Sequence, residues 1–145
     1  MRLPSPPPLA LAAAAALACA SGTPHGLVRV DLPDPAAAGP GSPAEQQLAA
    51  AVRDAAGAEG LACEPGAGAS LMRCSAAALG NQGHAVTIGL ERSGTGYEVA
   101  IAQALHLPGR PSPVCAVQRR VADRIDSALG FPVAHVDRRS DCQGR

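Results

Sequence analysis

Five cysteines, at positions 19, 63, 74, 115 and 142 of 145 residues, restrict this chain more than any other feature. Cys19 stands apart inside an apolar N-terminal segment, and setting it aside leaves an even four. Four cysteines allow three pairings, and spacing ranks them. Cys63 and Cys74 flank Glu64-Pro65-Gly66-Ala67-Gly68-Ala69-Ser70, a turn-rich stretch between short apolar runs. A hairpin centred near Gly68 sets those two cysteines opposite one another. Cys115 opens a segment of helical periodicity ending near Leu129, about 21 Å long at roughly 1.5 Å per residue. The stretch from Phe131 to Cys142 covers that distance in return when extended, at about 3.3 Å per residue. The favoured framework is therefore Cys63–Cys74 with Cys115–Cys142. The spacings contain no C-x-x-C and match no zinc ribbon. Paired cysteines also point to an oxidising compartment.

Met1 to Ala20 reads as an export address. Arg2 supplies a minimal positive end, Pro4, Pro6, Pro7 and Pro8 follow, and Leu9 to Ala18 is an unbroken run of Leu and Ala. That run is about half of the roughly 20 residues needed to span a bilayer, and it has the length of a secretory signal core. It ends Ala16-Leu17-Ala18-Cys19, which resembles the lipobox of bacterial lipoproteins. The family usually has Leu three positions before the cysteine, where this chain has Ala16, so the match is a relaxed one. The resemblance covers residues 1–19. It implies that the Cys19 thiol receives a diacylglyceryl group, that a peptidase cuts before it, and that the new amine is acylated. The mature protein would then sit in the cell envelope, held to a bacterial membrane by its N-terminal lipid and facing the periplasm or cell surface. The alternative is ordinary cleavage after Ala18-Cys19-Ala20, releasing a small secreted enzyme or inhibitor.

Composition removes several partners. Acidic and basic residues balance at 12 each, and every basic residue is Arg. A nucleic-acid binder needs a basic excess to displace counterions, so no nucleic-acid partner is expected. One Tyr, one Phe and no Trp exclude base-stacking platforms and aromatic cation cages. The core has to come from Val, Leu, Ile and Ala.

Local patterns supply the elements. Leu27 to Leu32 alternates like a strand, with Val28, Val30 and Leu32 on one side. Pro33 to Pro43 carries four prolines in eleven residues and reads as a stiff spacer. Ser42-Pro43-Ala44-Glu45 is a helix start: a capping Ser, Pro at the first helical position and Glu to complete a capping box. Leu48, Val52 and Ala55 mark that helix's buried face, and Gly60 its stop. Short strands follow at Leu61–Cys63 and Leu71–Ser75. Residues 85–105 form the clearest hairpin, turning at Ser93-Gly94-Thr95-Gly96. Val114, Val117, Val121, Ile125 and Leu129 recur at helical spacing, with Gly130 as the stop, and Phe131 to Val136 reads as a last strand. The expected fold is α+β: a two-layer sandwich of an antiparallel sheet with two helices on one face, stabilised by disulfides. The expected division is a signal peptide over 1–18, a lipid-anchored tether with a short strand and Pro-rich linker over 19–43, and the folded domain over 44–145.

Few residues suggest chemistry. His25, His84, His106 and His135 form no H-x-x-x-H; a metal site from His84, His106 and His135 would need the fold to gather them. Pairing about the 93–96 turn sets Glu91 opposite Glu98, a pair of hairpin-edge carboxylates in water. Arg138-Arg139 reads as a solvated end. The serines lack a G-x-S-x-G context, and the Gly-bearing loops precede no helix that could bind phosphate. The reading is a non-catalytic envelope protein without metal or cofactor, with the membrane and an envelope protein as its partners. Its sites are Cys19 for lipidation and Cys63, Cys74, Cys115 and Cys142 for disulfides.

Overall fold

The computed structural model describes residues 24–76, 86–103 and 111–143. Six strands make an antiparallel sheet: β1 (His25–Val30), β2 (Leu61–Pro65), β3 (Ser70–Ala76), β4 (Val86–Ser93), β5 (Gly96–Gln103) and β6 (Ala134–Val136). Their order is β2-β3-β4-β5-β1-β6. Two helices, α1 (Pro43–Ala58) and α2 (Val114–Leu129), lie on one face and pack on each other. This is the expected disulfide-stabilised α+β sandwich, and both disulfides join the expected partners.

The hairpins follow from local chemistry. Ser93 pairs with Gly96, leaving Gly94 and Thr95 as a two-residue turn, and Gly94 takes the left-handed conformation (φ +59) that such a turn demands. Cys63 pairs directly with Cys74 across β2 and β3. Helix α1 starts at Ser42, whose Oγ accepts the Glu45 N–H at 3.2 Å, with Pro43 at the first helical position. Only half of the expected capping box forms. The Glu45 carboxylate accepts the N–H of Gly41 at 3.1 Å, while the Ser42 N–H goes to the Gly39 carbonyl. Gly130 ends α2 in the left-handed conformation, its N–H bonded to the Asp126 carbonyl.

Alternation sorts the sheet faces. Val28 and Val30 of β1, Ile88 and Leu90 of β4, and Val99 and Ile101 of β5 are fully buried beneath the helices. Leu48 and Val52 of α1 and Val114, Val121 and Ile125 of α2 meet them with no exposure.

One expectation is corrected. The sequence places the tether, the short strand and the Pro-rich linker of 19–43 outside the domain, which is to start at 44; the strand forms, but not as part of a tether. Instead β1 is an interior strand, paired antiparallel with β5 on one side and β6 on the other. The proline-rich stretch is no spacer either. Leu32 and Ala38 pack against the core, Asp34 caps a 3-10 turn at Pro35–Ala37, and the Tyr97 hydroxyl bonds to the Ala38 carbonyl at 2.7 Å. The prolines stiffen a crossover that carries the chain from β1, at one side of the sheet, to α1. The folded domain therefore begins by His25. The final strand is shorter than expected: Phe131 to Val133 lead into it, and Phe131 is 56% exposed.

Candidate functional site: two polar clusters and a cleft

The densest polar chemistry is a cluster that sequence reasoning missed. Glu45, in the first turn of α1, is only 4% exposed. Its Oε1 accepts from Arg92 Nη2 at 2.6 Å, and its Oε2 from Arg92 Nε at 2.8 Å and from the Tyr97 hydroxyl at 2.9 Å. Arg92 Nη1 also donates to the Gly68 carbonyl at 3.2 Å. The sheet positions both partners. Arg92 and Tyr97 face each other across β4 and β5, on the face that also carries Leu90 and Val99. Arg92 shares the parity of Ile88 and Leu90, so alternation alone turns it inward at the end of the hairpin. An inward Arg demands an inward acid, and that requirement was the missed signal.

The electrostatics show what this cluster does. The Arg92 guanidinium, aided by the Gly41 N–H and opposed by burial, holds the Glu45 carboxyl down at about 2. Burial, then the bond to Glu45, pushes the Tyr97 hydroxyl up to about 12. A carboxylate at about 2 is not a general base near neutrality, where catalysis wants a group poised close to the working pH. The bidentate fork and shared hydroxyl proton occupy the lone pairs of Glu45. The triad clamps the start of α1 to the β4–β5 hairpin and, through Gly68, to the β2–β3 turn.

A second cluster lies on the uncovered sheet face. The Arg139 guanidinium reaches both Asp137, at 2.9 Å, and Glu98, and Ser93 Oγ donates to Glu98 at 3.0 Å. Arg139 holds Asp137 down at about 2. Arg138 and Arg139 are both exposed, as a solvated end should be, and Arg139 is in addition engaged by two acids. Glu91 does sit opposite Glu98 in register, but Glu98 is spent on Arg139 and Ser93 while Glu91 is exposed. Beside these charges the face carries two rows of mixed side chains. Leu27, Ala100, Gly89, Arg73 and Glu64 form one row across five strands, and His25, Ala102 and Thr87 a second.

A cleft of about 170 Å³ opens between α2 and the C-terminal segment, floored by Ala122, Val136 and the Cys115–Cys142 bridge, with Arg119 and Asp141 also lining it. Sites for drug-sized ligands run to about 300–1,000 Å³, so this space suits a few solvent molecules better than a substrate. Gln118 is buried at its inner wall, and its carbonyl oxygen accepts the Leu27 N–H at 3.0 Å and the Ser140 hydroxyl at 2.7 Å.

Cys63, Cys74, Cys115 and Cys142 are all in disulfides. Cys19, His84 and His106 lie outside the described residues. His25 and His135 are exposed, on neighbouring β1 and β6. Among the described residues no three His, Cys, Asp or Glu side chains gather as a metal set, no buried side-chain nitrogen or oxygen lacks a hydrogen-bond partner, and no helix is long and apolar enough to cross a membrane. No family model, curated protein or solved structure matches this chain.

Proposed function

We propose that this protein is a small lipid-anchored component of a bacterial envelope, with a binding or structural role rather than a catalytic one. The observation that carries the reading is the fate of the cysteines. Four of the five are consumed in two disulfides, and the one left over is Cys19, which directly follows Ala16-Leu17-Ala18 and its apolar run. An odd cysteine in an exported chain needs a use, and thioether lipidation is the use that this context offers. Near-permanent attachment needs two acyl chains, each buried CH₂ contributing about 0.8 kcal/mol. The polar clusters support the non-catalytic part, because Glu45, Tyr97 and Asp137 are held far from neutrality by structural partners. Partner contact would fall to the open sheet face or an edge strand, where strand addition needs only backbone groups.

Between Cys19 and β1 lie only Ala20 to Pro24. Five residues span at most about 18 Å, so an anchored domain works next to the bilayer surface.

Detergent-phase partitioning of the mature protein, with mass analysis of its N-terminus, is the test. The expected result is entry into the detergent phase, an acylated Cys19, and loss of both in Cys19→Ser. A water-phase protein beginning at Ser21 would favour the secreted reading instead.

A further inference from the structure

The geometry points to the C-terminal segment 137–143 as a redox-released latch over the open edge of β1, locked by Cys115–Cys142 and opened by a dithiol. Strand β6 covers only Val28 to Val30. Ahead of it, the edge of β1 would present bare backbone at His25 and Leu27. The segment after β6 closes that gap without being a strand. Asp137 N–H donates to the Leu27 carbonyl and Asp141 N–H to the His25 carbonyl, each at 2.9 Å. Asp141 Oδ2 accepts the His25 N–H at 2.7 Å, and the Leu27 N–H goes to Gln118 of α2. Gln118 in turn holds the segment, accepting from Ser140 Oγ and donating its Nε2 to the Cys142 carbonyl at 3.3 Å. Among the described residues, the one covalent hold on the segment besides its own main chain is the bond from Cys142 to Cys115.

The two disulfides are not equally accessible. Cys74 is fully buried and Cys63 half-buried within the β2–β3 hairpin, whereas the other bridge joins a buried Cys142 to Cys115, which is exposed in the first turn of α2. Exposure admits an attacking thiolate, and a helix N-terminus stabilises the thiolate later released there. A dithiol thiolate attacks Cys115 Sγ, the bond to Cys142 Sγ breaks, and Cys142 leaves as a thiolate that takes a proton. The second dithiol sulfur then attacks the mixed disulfide, Cys115 leaves as a thiolate, and the dithiol departs oxidised by two electrons. With the lock open, the segment is held only by non-covalent contacts, its hydrogen bonds and the Arg139–Glu98 ion pair among them, and the β1 edge nearest the chain's N-terminal end becomes able to accept an extended strand.

The experiment is graded reduction of the intact mature protein with dithiothreitol, followed by alkylation mapping and amide hydrogen exchange. Cys115 and Cys142 should be labelled first, with Cys63 and Cys74 still joined. The amides of Leu27, Asp137 and Asp141 should then exchange at least about tenfold faster, while those of Val99 and Ile101 keep their protection. Prior opening of Cys63–Cys74, or unchanged exchange at Leu27 and Asp141 after the Cys115–Cys142 bond is cut, would overturn the latch. So would loss of protection at Val99 and Ile101 together with the segment, because the bond would then be a staple of the whole fold. Wild-type protein suffices, so no variant has to fold for the outcome to be read.

Discussion

Glu45 shows how one side chain can hold three elements. It caps nothing in the ordinary sense, yet its carboxylate binds Gly41, Arg92 and Tyr97 at once. Its carboxyl is lowered from 4.5 to about 2. The unfolded chain takes up that proton near 4.5 while the folded one resists until about 2. The stabilisation is therefore complete above about 4.5 and disappears as pH falls through that window. A shift of this size corresponds to roughly 3 kcal/mol. Tyr97 gives the opposite limb: its hydroxyl is raised from 10.0 to about 12, so its contribution is complete below 10 and is lost as pH rises through 12. Glu45→Gln should lower stability at neutral pH by about 2–4 kcal/mol, since it strands a half-buried Arg92. It should also flatten the acid limb. Urea unfolding from pH 2 to 7 checks both, and an unchanged acid limb in the variant would remove Glu45 from this role.

Between elements, the decisive contact is the close approach of α2 to β1. Gly26 faces the first turns of α2, and a Cβ there would stand 2.7 Å from Gln118 Oε1 and 3.3 Å from Val114 Cγ1. Gln118 cannot simply swing away, because its oxygen already holds Leu27 and Ser140. Gly26→Ala should therefore cost about 1–3 kcal/mol, the range for overpacking, and should speed exchange of the Leu27 amide. Thermal unfolding at wild-type temperature would show that the helix has room to retreat. Helices α1 and α2 are further joined at the surface by Arg120 and Glu59, 2.6 Å apart. That pair is half-exposed on the Arg side and belongs to the class worth a few tenths of a kcal/mol up to about 1.

At the scale of the whole molecule, the crossover from β1 to α1 decides whether there is one domain or a domain on a string. Were 33–43 a spacer, deleting Pro33 to Gly41 would shorten reach and leave folding intact. With β1 between β5 and β6, the same deletion leaves two or three residues to make the crossover from β1 to α1 and removes Ala38 from Tyr97. The expected outcome is loss of cooperative unfolding, followed by circular dichroism on heating. A deletion variant with a sharp, near-native transition would return the segment to the role of linker.

Much of this was legible one residue at a time. Both disulfides, the helix start at Ser42-Pro43, the Gly130 stop and the β4–β5 register follow from turn chemistry, spacing and periodicity, which are local; only the Cys115–Cys142 bond reaches further, closing 27 residues. What the chain could not disclose locally is which strand sits beside which. The pairing of β1 with β5 joins His25 to Ala102 across most of the domain, and no short-range pattern encodes it. The same is true of the Glu45–Arg92–Tyr97 clamp and of the Gln118 carbonyl that caps Leu27. These belong to tertiary structure because their energy arises only when burial strips water from groups far apart in the chain, so that each must find its partner there or pay for having none.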